Sequence, residues 1–137
     1  MDYKQLYHDQ LVDHYKHPRN KGKAEPADFC SGVHNPSCGD EVLISGTVAG
    51  GSITSCLFQA KGCVISNAAA SMLTEFCTDM NVDRVLELTK DDMVALVKIE
   101  LGPTRLRCAL LALEALHTGL CEFQKRNDHV ASGTTAS

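Results

Sequence analysis

Residues 42–77 read VLISGTVAGGSITSCLFQAKGCVISNAAASMLTEFC, and the hydrophobic period of this stretch changes halfway along. Val42, Ile44 and Val48, the Gly50-Gly51 pair and the run from Ile53 to Ala60 predict two strands joined as a hairpin. After Lys61-Gly62 the period becomes helical. Ile65, Ala69, Met72, Leu73 and Phe76 fall on one face, so Val64 to Cys77 is expected to be a helix whose first turn follows Cys63 directly.

Toward the amino end, Tyr3, Tyr7, Leu11 and Tyr15 recur at spacing four and predict a helix from about residue 3 to 16, stopped before Pro18. The segment from Pro18 to about Cys30 is broken by two prolines and a glycine, and reads as a loop or extended arm. Phe29 to Val33 offers a third strand with a fainter pattern. Toward the carboxyl end, Asn81 caps a short helix through Val85 and Leu86, and Thr89 with Asp92 forms a capping box for a helix through Val97. Gly102-Pro103 ends that stretch. Ala109, Leu113, Leu116, Leu120 and Phe123 then predict a long helix from about Thr104 to Lys125. Helix, strands and a block of helices make an α+β layer sandwich, an antiparallel sheet covered by helices. No internal repeat or linker divides the chain, so residues 1–126 are expected to form one domain, with 127–137 as a mobile tail.

Thirteen Lys and Arg stand against seventeen Asp and Glu, for a net charge of −4 over 137 residues. With a pI near 5.8, this balance argues against nucleic acid as a partner, since that affinity rests largely on cations facing phosphate. The longest apolar run, Cys108 to Leu113, is far below the roughly 18 residues that suggest a membrane span. The opening MDYKQLYHDQ has no basic segment leading into an apolar stretch, so the cytosol is the expected compartment. An odd set of seven cysteines, at 30, 38, 56, 63, 77, 108 and 121, fits poorly with a disulfide framework.

Three of these thiols stand at element edges. Cys38 lies in the loop Asn35-Pro36-Ser37-Cys38-Gly39-Asp40, Cys63 precedes a helix, and Cys108 begins the last one. A helix N-terminus lowers a thiol pKa, and Arg107 beside Cys108 is expected to act in the same direction. Asp40 lies two residues from Cys38, so an extended backbone points both to one side. With Cys63 and Cys108 they would complete a Cys₃Asp set suited to zinc or to the iron of an iron–sulfur cluster, while the spacing by itself reads equally as three small buried thiols and a turn-forming aspartate. The remaining cysteines, Cys30, Cys56, Cys77 and Cys121, read as packing. No nucleophile–base–acid triad and no phosphate-binding glycine loop is present.

Four motifs in order carry a family resemblance: Asp13-His14-Tyr15 with His17-Pro18-Arg19-Asn20, then Asn35 to Asp40, then Gly62-Cys63-Val64-Ile65-Ser66, then Ala68 to Leu73. Over about residues 3–125 the chain resembles the U-type iron–sulfur cluster assembly scaffolds, which comprise IscU, SufU and the amino-terminal domain of NifU. The resemblance implies a three-stranded sheet and a site formed by Cys38, Asp40, Cys63 and Cys108. It also implies sulfur supplied by a cysteine desulfurase, a transient [2Fe-2S] cluster, and delivery to apo-acceptor or carrier proteins.

Two branches of the family are mixed here. Arg107 stands where the IscU branch has histidine, as in SufU, while the short interval between Cys63 and Cys108 is IscU-like. Leu101-Gly102-Pro103-Thr104-Arg105 departs from the Leu-Pro-Pro-Val-Lys segment of IscU, which weighs against an Hsp70-type chaperone partner. The first functional reading is therefore a cluster scaffold. The alternative is a zinc-dependent sulfurtransferase in which Zn²⁺ organises the ligands and Cys108 accepts persulfide. His14, His17 and Arg19 are read either as anchors of the arm or as a desulfurase-docking surface. His34 is read as solvated or as a neighbour of the ligands, and His117 as exposed. The expected assembly state is a monomer or weak homo-oligomer.

Overall fold

The chain lays a three-stranded antiparallel meander, in the order β1-β2-β3, beneath two long helices. The computed structural model describes the backbone of residues 3–36 and 39–136 and the side chains of 4–36 and 39–127. Its elements are α1 (Tyr3–Lys16), β1 (Phe29–His34), β2 (Glu41–Ala49), β3 (Ser52–Lys61), α2 (Val64–Cys77), α3 (Val82–Leu86), α4 (Lys90–Val97) and α5 (Pro103–Ala136). No helix among the described residues is long and apolar enough to cross a membrane.

The period of two decides which face of the sheet is buried. Ile44 pairs with Phe58 and Val42 with Ala60, so Val42, Ile44, Cys56 and Phe58 point one way with Phe29 and Ile53, and all but Ala60 are almost fully buried. At the hairpin tip Gly50 and Gly51 have φ of +60° and +80°, the paired left-handed geometry whose twist matches the flanking strands. On the buried face, α2 lies over β3 and α5 over β1 and β2. The alanines of α2 at 68, 69 and 70 and those of α5 at 109, 112 and 115 are buried, and their small side chains let both backbones come close to the sheet. The capping box of Thr89 and Asp92 is present at the start of α4.

The segment after α1 is less free than its prolines suggest. Phe58 N–H donates to Asn20 O at 2.9 Å and Gly22 N–H to Phe58 O at 2.7 Å, so the arm extends the β3 edge. Ala24 N–H then donates to the buried Ser45 hydroxyl at 3.0 Å on the outer side of the sheet. Of the apolar stripe on α1, Leu11 is buried while Tyr15 is exposed, because the sheet is already covered and α1 packs chiefly along the side of α2.

Ser71 on α2 holds this arm. Its hydroxyl accepts from Arg19 N–H at 2.9 Å and has its own proton free for His14 Nδ1 at 2.8 Å. Arg19 also pairs with Asp13 at 2.6 Å and reaches Glu75 at 3.9 Å. Burial of His14, reinforced by the Arg19 cation and opposed by Glu75 and Asp13, holds the imidazole below its ordinary pKa of 6.5. Both folded and unfolded chains carry a neutral ring well above that pH. As pH falls below about 6.5 the unfolded chain binds the proton first, so stability is lost until the lower folded pKa is passed. Urea midpoints measured from pH 7.5 to 5 are expected to fall, and His14→Gln to flatten the slope; an equal slope in the variant would remove His14 as its cause.

Three expectations need correction. His117 is half-buried, with Nε2 placed 2.8 Å from Val85 O, and ties α5 to α3 instead of facing solvent. Cys30 and Cys121 are exposed and so do not serve packing, because β1 is an edge strand whose alternate residues face outward and Cys121 falls off the apolar stripe of α5. The helical ladder of α5 runs past Lys125 to Ala136, since no proline interrupts it. Cys56 and Cys77 are fully buried as expected, and burial pushes both thiols far up, Cys77 to about 12.

Candidate metal centre

The site forms where three elements begin or end at one edge of the sheet. Glu41 pairs with Lys61, so the next pair outward sets Asp40 across from Gly62. Alternation from exposed Glu41 and buried Val42 turns Asp40 inward, toward the helix layer, where only 5% of it remains exposed. The preceding loop closes on itself, with Asn35 N–H donating to Asp40 O and Gly39 N–H to Asn35 O, both at 2.8 Å. Cys38, the ligand candidate in that loop, lies outside the described residues.

Cys63 is the N-cap of α2, with φ −76° and ψ 170°, and its Sγ accepts from Ser66 N–H at 3.5 Å. A thiol thus does what serine or aspartate usually does at this position. Cys108 heads the buried stripe of α5, followed by Leu111, Ala112 and Ala115, and is 5% exposed. One ligand atom each from Asp40, Cys63 and Cys108 lies within 4.8 Å of the others. Donors around a tetrahedral zinc stand roughly 3.3–3.8 Å apart, given metal–ligand lengths of about 2.0–2.3 Å, so a small inward movement closes the set. A carboxylate with two thiols matches a borderline-soft divalent metal, and Cys63 is exposed, which leaves one corner open to solvent.

The electrostatics of the site depart from the sequence expectation. Burial alone raises the Asp40 pKa, but hydrogen bonds from Ser66, Cys63 and Cys108 outweigh it and hold the carboxyl below its ordinary value. Burial pushes the Cys108 thiol up to about 12, and its contacts with Asp40 and Cys63 add to the rise. The expected lowering by Arg107 and a helix end does not occur. Pro103 begins α5, so Cys108 sits in its second turn, and the Arg107 side chain is exposed. Without a cation the Asp40 carboxylate is held charged and the Cys108 thiol keeps its proton; a divalent metal held by these residues would favour the thiolate form instead. His34 is exposed on β1.

Two residues that hold the site escaped the sequence reading. Ser66 is fully buried and donates to Asp40 Oδ2 at 2.6 Å, with its Oγ also 3.5 Å from Cys63 Sγ. Gly62, at φ +148°, leaves vacant the volume that the Asp40 carboxyl enters. The available signal was the Gly-Cys-x-x-Ser spacing, in which a serine follows its capping residue by three.

Comparisons with known proteins identify the family. The model of the NifU-like N-terminal domain matches residues 6–130. The iron-sulfur cluster assembly scaffold protein IscU 1 of Archaeoglobus fulgidus is 34% identical over 125 residues, spanning 91% of this chain and 81% of that protein. The zinc-dependent sulfurtransferase SufU of Bacillus subtilis is 31% identical over 139 residues, spanning 89% of this chain and 94% of that protein. Among solved structures, a NifU-like N-terminal protein from Brucella abortus superposes with a TM-score of 0.70 at 15% identity, covering 90% of this chain and 97% of that one. A putative cluster assembly scaffold for the SUF system from Fervidobacterium islandicum gives 0.68 at 23% identity, covering 87% and 99%. At these identities the superpositions speak to the fold, and the α+β fold with its three-stranded sheet is theirs. With the family model spanning nearly the whole sequence, the chain belongs to the NifU-like N-terminal domain family.

Proposed function

We propose that the chain is an iron–sulfur cluster assembly scaffold: it receives sulfur from a cysteine desulfurase, assembles a labile [2Fe-2S] cluster at Cys38, Asp40, Cys63 and Cys108, and passes it to apo-proteins. The observation that carries this reading is the convergence of Asp40, Cys63 and Cys108 within 4.8 Å at an edge open on the Cys63 side. Sulfur arrives when a thiolate attacks the terminal sulfur of a desulfurase persulfide and the desulfurase thiolate leaves; of the four electrons that two such sulfurs take to become sulfide, two come from the ferrous irons as they become ferric and two from a dithiol that leaves as its disulfide. A hard carboxylate among thiolates weakens one corner of the set, and an exposed corner admits the acceptor's thiols. Release is thus built into the ligand choice.

A second reading, a zinc-dependent sulfurtransferase, is favoured by Arg107, which cannot ligate a metal and leaves only Cys and Asp as donors. In it, Zn²⁺ would hold the ligands together, and Cys108, buried at rest, accepts persulfide once ligand exchange frees it.

Anaerobic incubation with a cysteine desulfurase, cysteine, ferrous iron and dithiothreitol is expected to produce [2Fe-2S] absorbance that moves to an apo-ferredoxin. Retention of one zinc with no cluster, together with faster desulfurase turnover, would install the second reading. Asp40→Ala is expected to keep its cluster longer and transfer it more slowly, because the hard corner that weakens the set is gone. Equal transfer by variant and parent would contradict the role given to the carboxylate.

A further inference from the structure

We propose that Ser66 is a positioning residue for the metal centre, acting through Asp40 by binding one carboxylate oxygen so that the other alone is presented to the metal. This inference rests on the metal-binding reading above. Its geometry is confined. Asp40 is buried at the sheet edge, so its carboxyl has no solvent to satisfy it. Ser66, fully buried one turn into α2, donates its proton to Oδ2 at 2.6 Å. On the other side Oδ1 occupies the volume that a side chain at Gly62 would fill. The carboxylate is therefore oriented from both sides, one oxygen bonded to Ser66 and the other set against Gly62, with the Cys63 backbone and the Cys63 and Cys108 thiols also bonding the carboxylate where a metal would take their place.

Groups that orient a ligand are worth about 10–100-fold in metal affinity, because an unheld ligand must be ordered at each binding event. Ser66→Ala keeps the backbone N–H that caps onto Cys63 Sγ, so α2 begins as before. What it removes is the short 2.6 Å bond to Asp40, along with the longer 3.5 Å approach of its Oγ to Cys63 Sγ, and the effect is assigned to the short bond. Its effect must then disappear when Asp40 is itself absent, a condition that a merely structural serine does not meet.

The test is metal binding by the full chain, with Zn²⁺ dissociation constants from chelator competition and Co²⁺ ligand-field spectra, for the parent, Ser66→Ala, Asp40→Ala and the double variant. Ser66→Ala is expected to weaken Zn²⁺ about tenfold, to move the Co²⁺ bands toward those of Asp40→Ala, and to add nothing in the Asp40→Ala background. Parent-like affinity and spectrum in Ser66→Ala, or a full additional loss in the double variant, would overturn the role of Ser66 and leave the metal-binding reading intact. A parent chain that binds neither ion would overturn that reading and this inference with it.

Discussion

Gly62→Ala is expected to weaken metal binding by about 10–100-fold and to lower folding stability by about 1–3 kcal/mol. Two costs combine at this position. Its φ of +148° lies where side chains rarely go, and the added carbon would be placed inside contact distance of the carboxyl and Cβ atoms of Asp40. Asp40 cannot yield cheaply: it is short, buried, and bonded to a serine that is itself buried. Either the turn before Cys63 unwinds or the carboxylate leaves its position, and both outcomes separate the ligands. Chelator competition and thermal denaturation of the same sample check the two effects. Parent-like affinity would mean that the edge adjusts without cost and that the vacant volume is irrelevant.

Phe58→Ala is expected to produce the largest loss of stability, about 3–5 kcal/mol, without touching a ligand. Phe58 is fully buried on the inner face of β3, paired with Ile44, and its backbone carries both hydrogen bonds that hold the arm at Asn20 and Gly22. The backbone bonds survive the substitution, but the ring's volume is lost from a close-packed core that includes Phe29, Ile44, Ile53 and Leu73, which relaxes only partly into the space. Against a typical domain stability of about 5–15 kcal/mol this leaves a marginal protein, with Tm lower by roughly 10–20 °C. Zn²⁺ affinity measured well below that Tm should stay near the parent value. A loss of affinity there would show that the core and the sheet edge are coupled, contrary to the local construction of the site.

Periodicity and punctuation were sufficient for most elements. The bounds of α2, Val64–Cys77, follow from a 3.6-residue stripe beginning after Gly62-Cys63, and the hairpin follows from two alternating runs about Gly50-Gly51. β1 was fainter because an edge strand with Ser31 and Gly32 at its centre has little apolar alternation to read. His117 could not be placed from α5 alone, since its partner carbonyl belongs to α3, 32 residues earlier.

By itself, then, the sequence determined the α+β class, the hairpin and the capped helices, because local spacing and short motifs are written in neighbouring residues, while the candidate set of Asp40, Cys63 and Cys108 rested on the family resemblance those motifs carry. Only the tertiary structure decided how those ligands are held and charged. It turned Asp40 inward across from Gly62, put the Ser66 hydroxyl on it, and buried Cys108 so that its thiol titrates upward. Burial and cross-element hydrogen bonds depend on which segments meet, and a thiol's charge follows the medium around it more than the residue beside it in the chain.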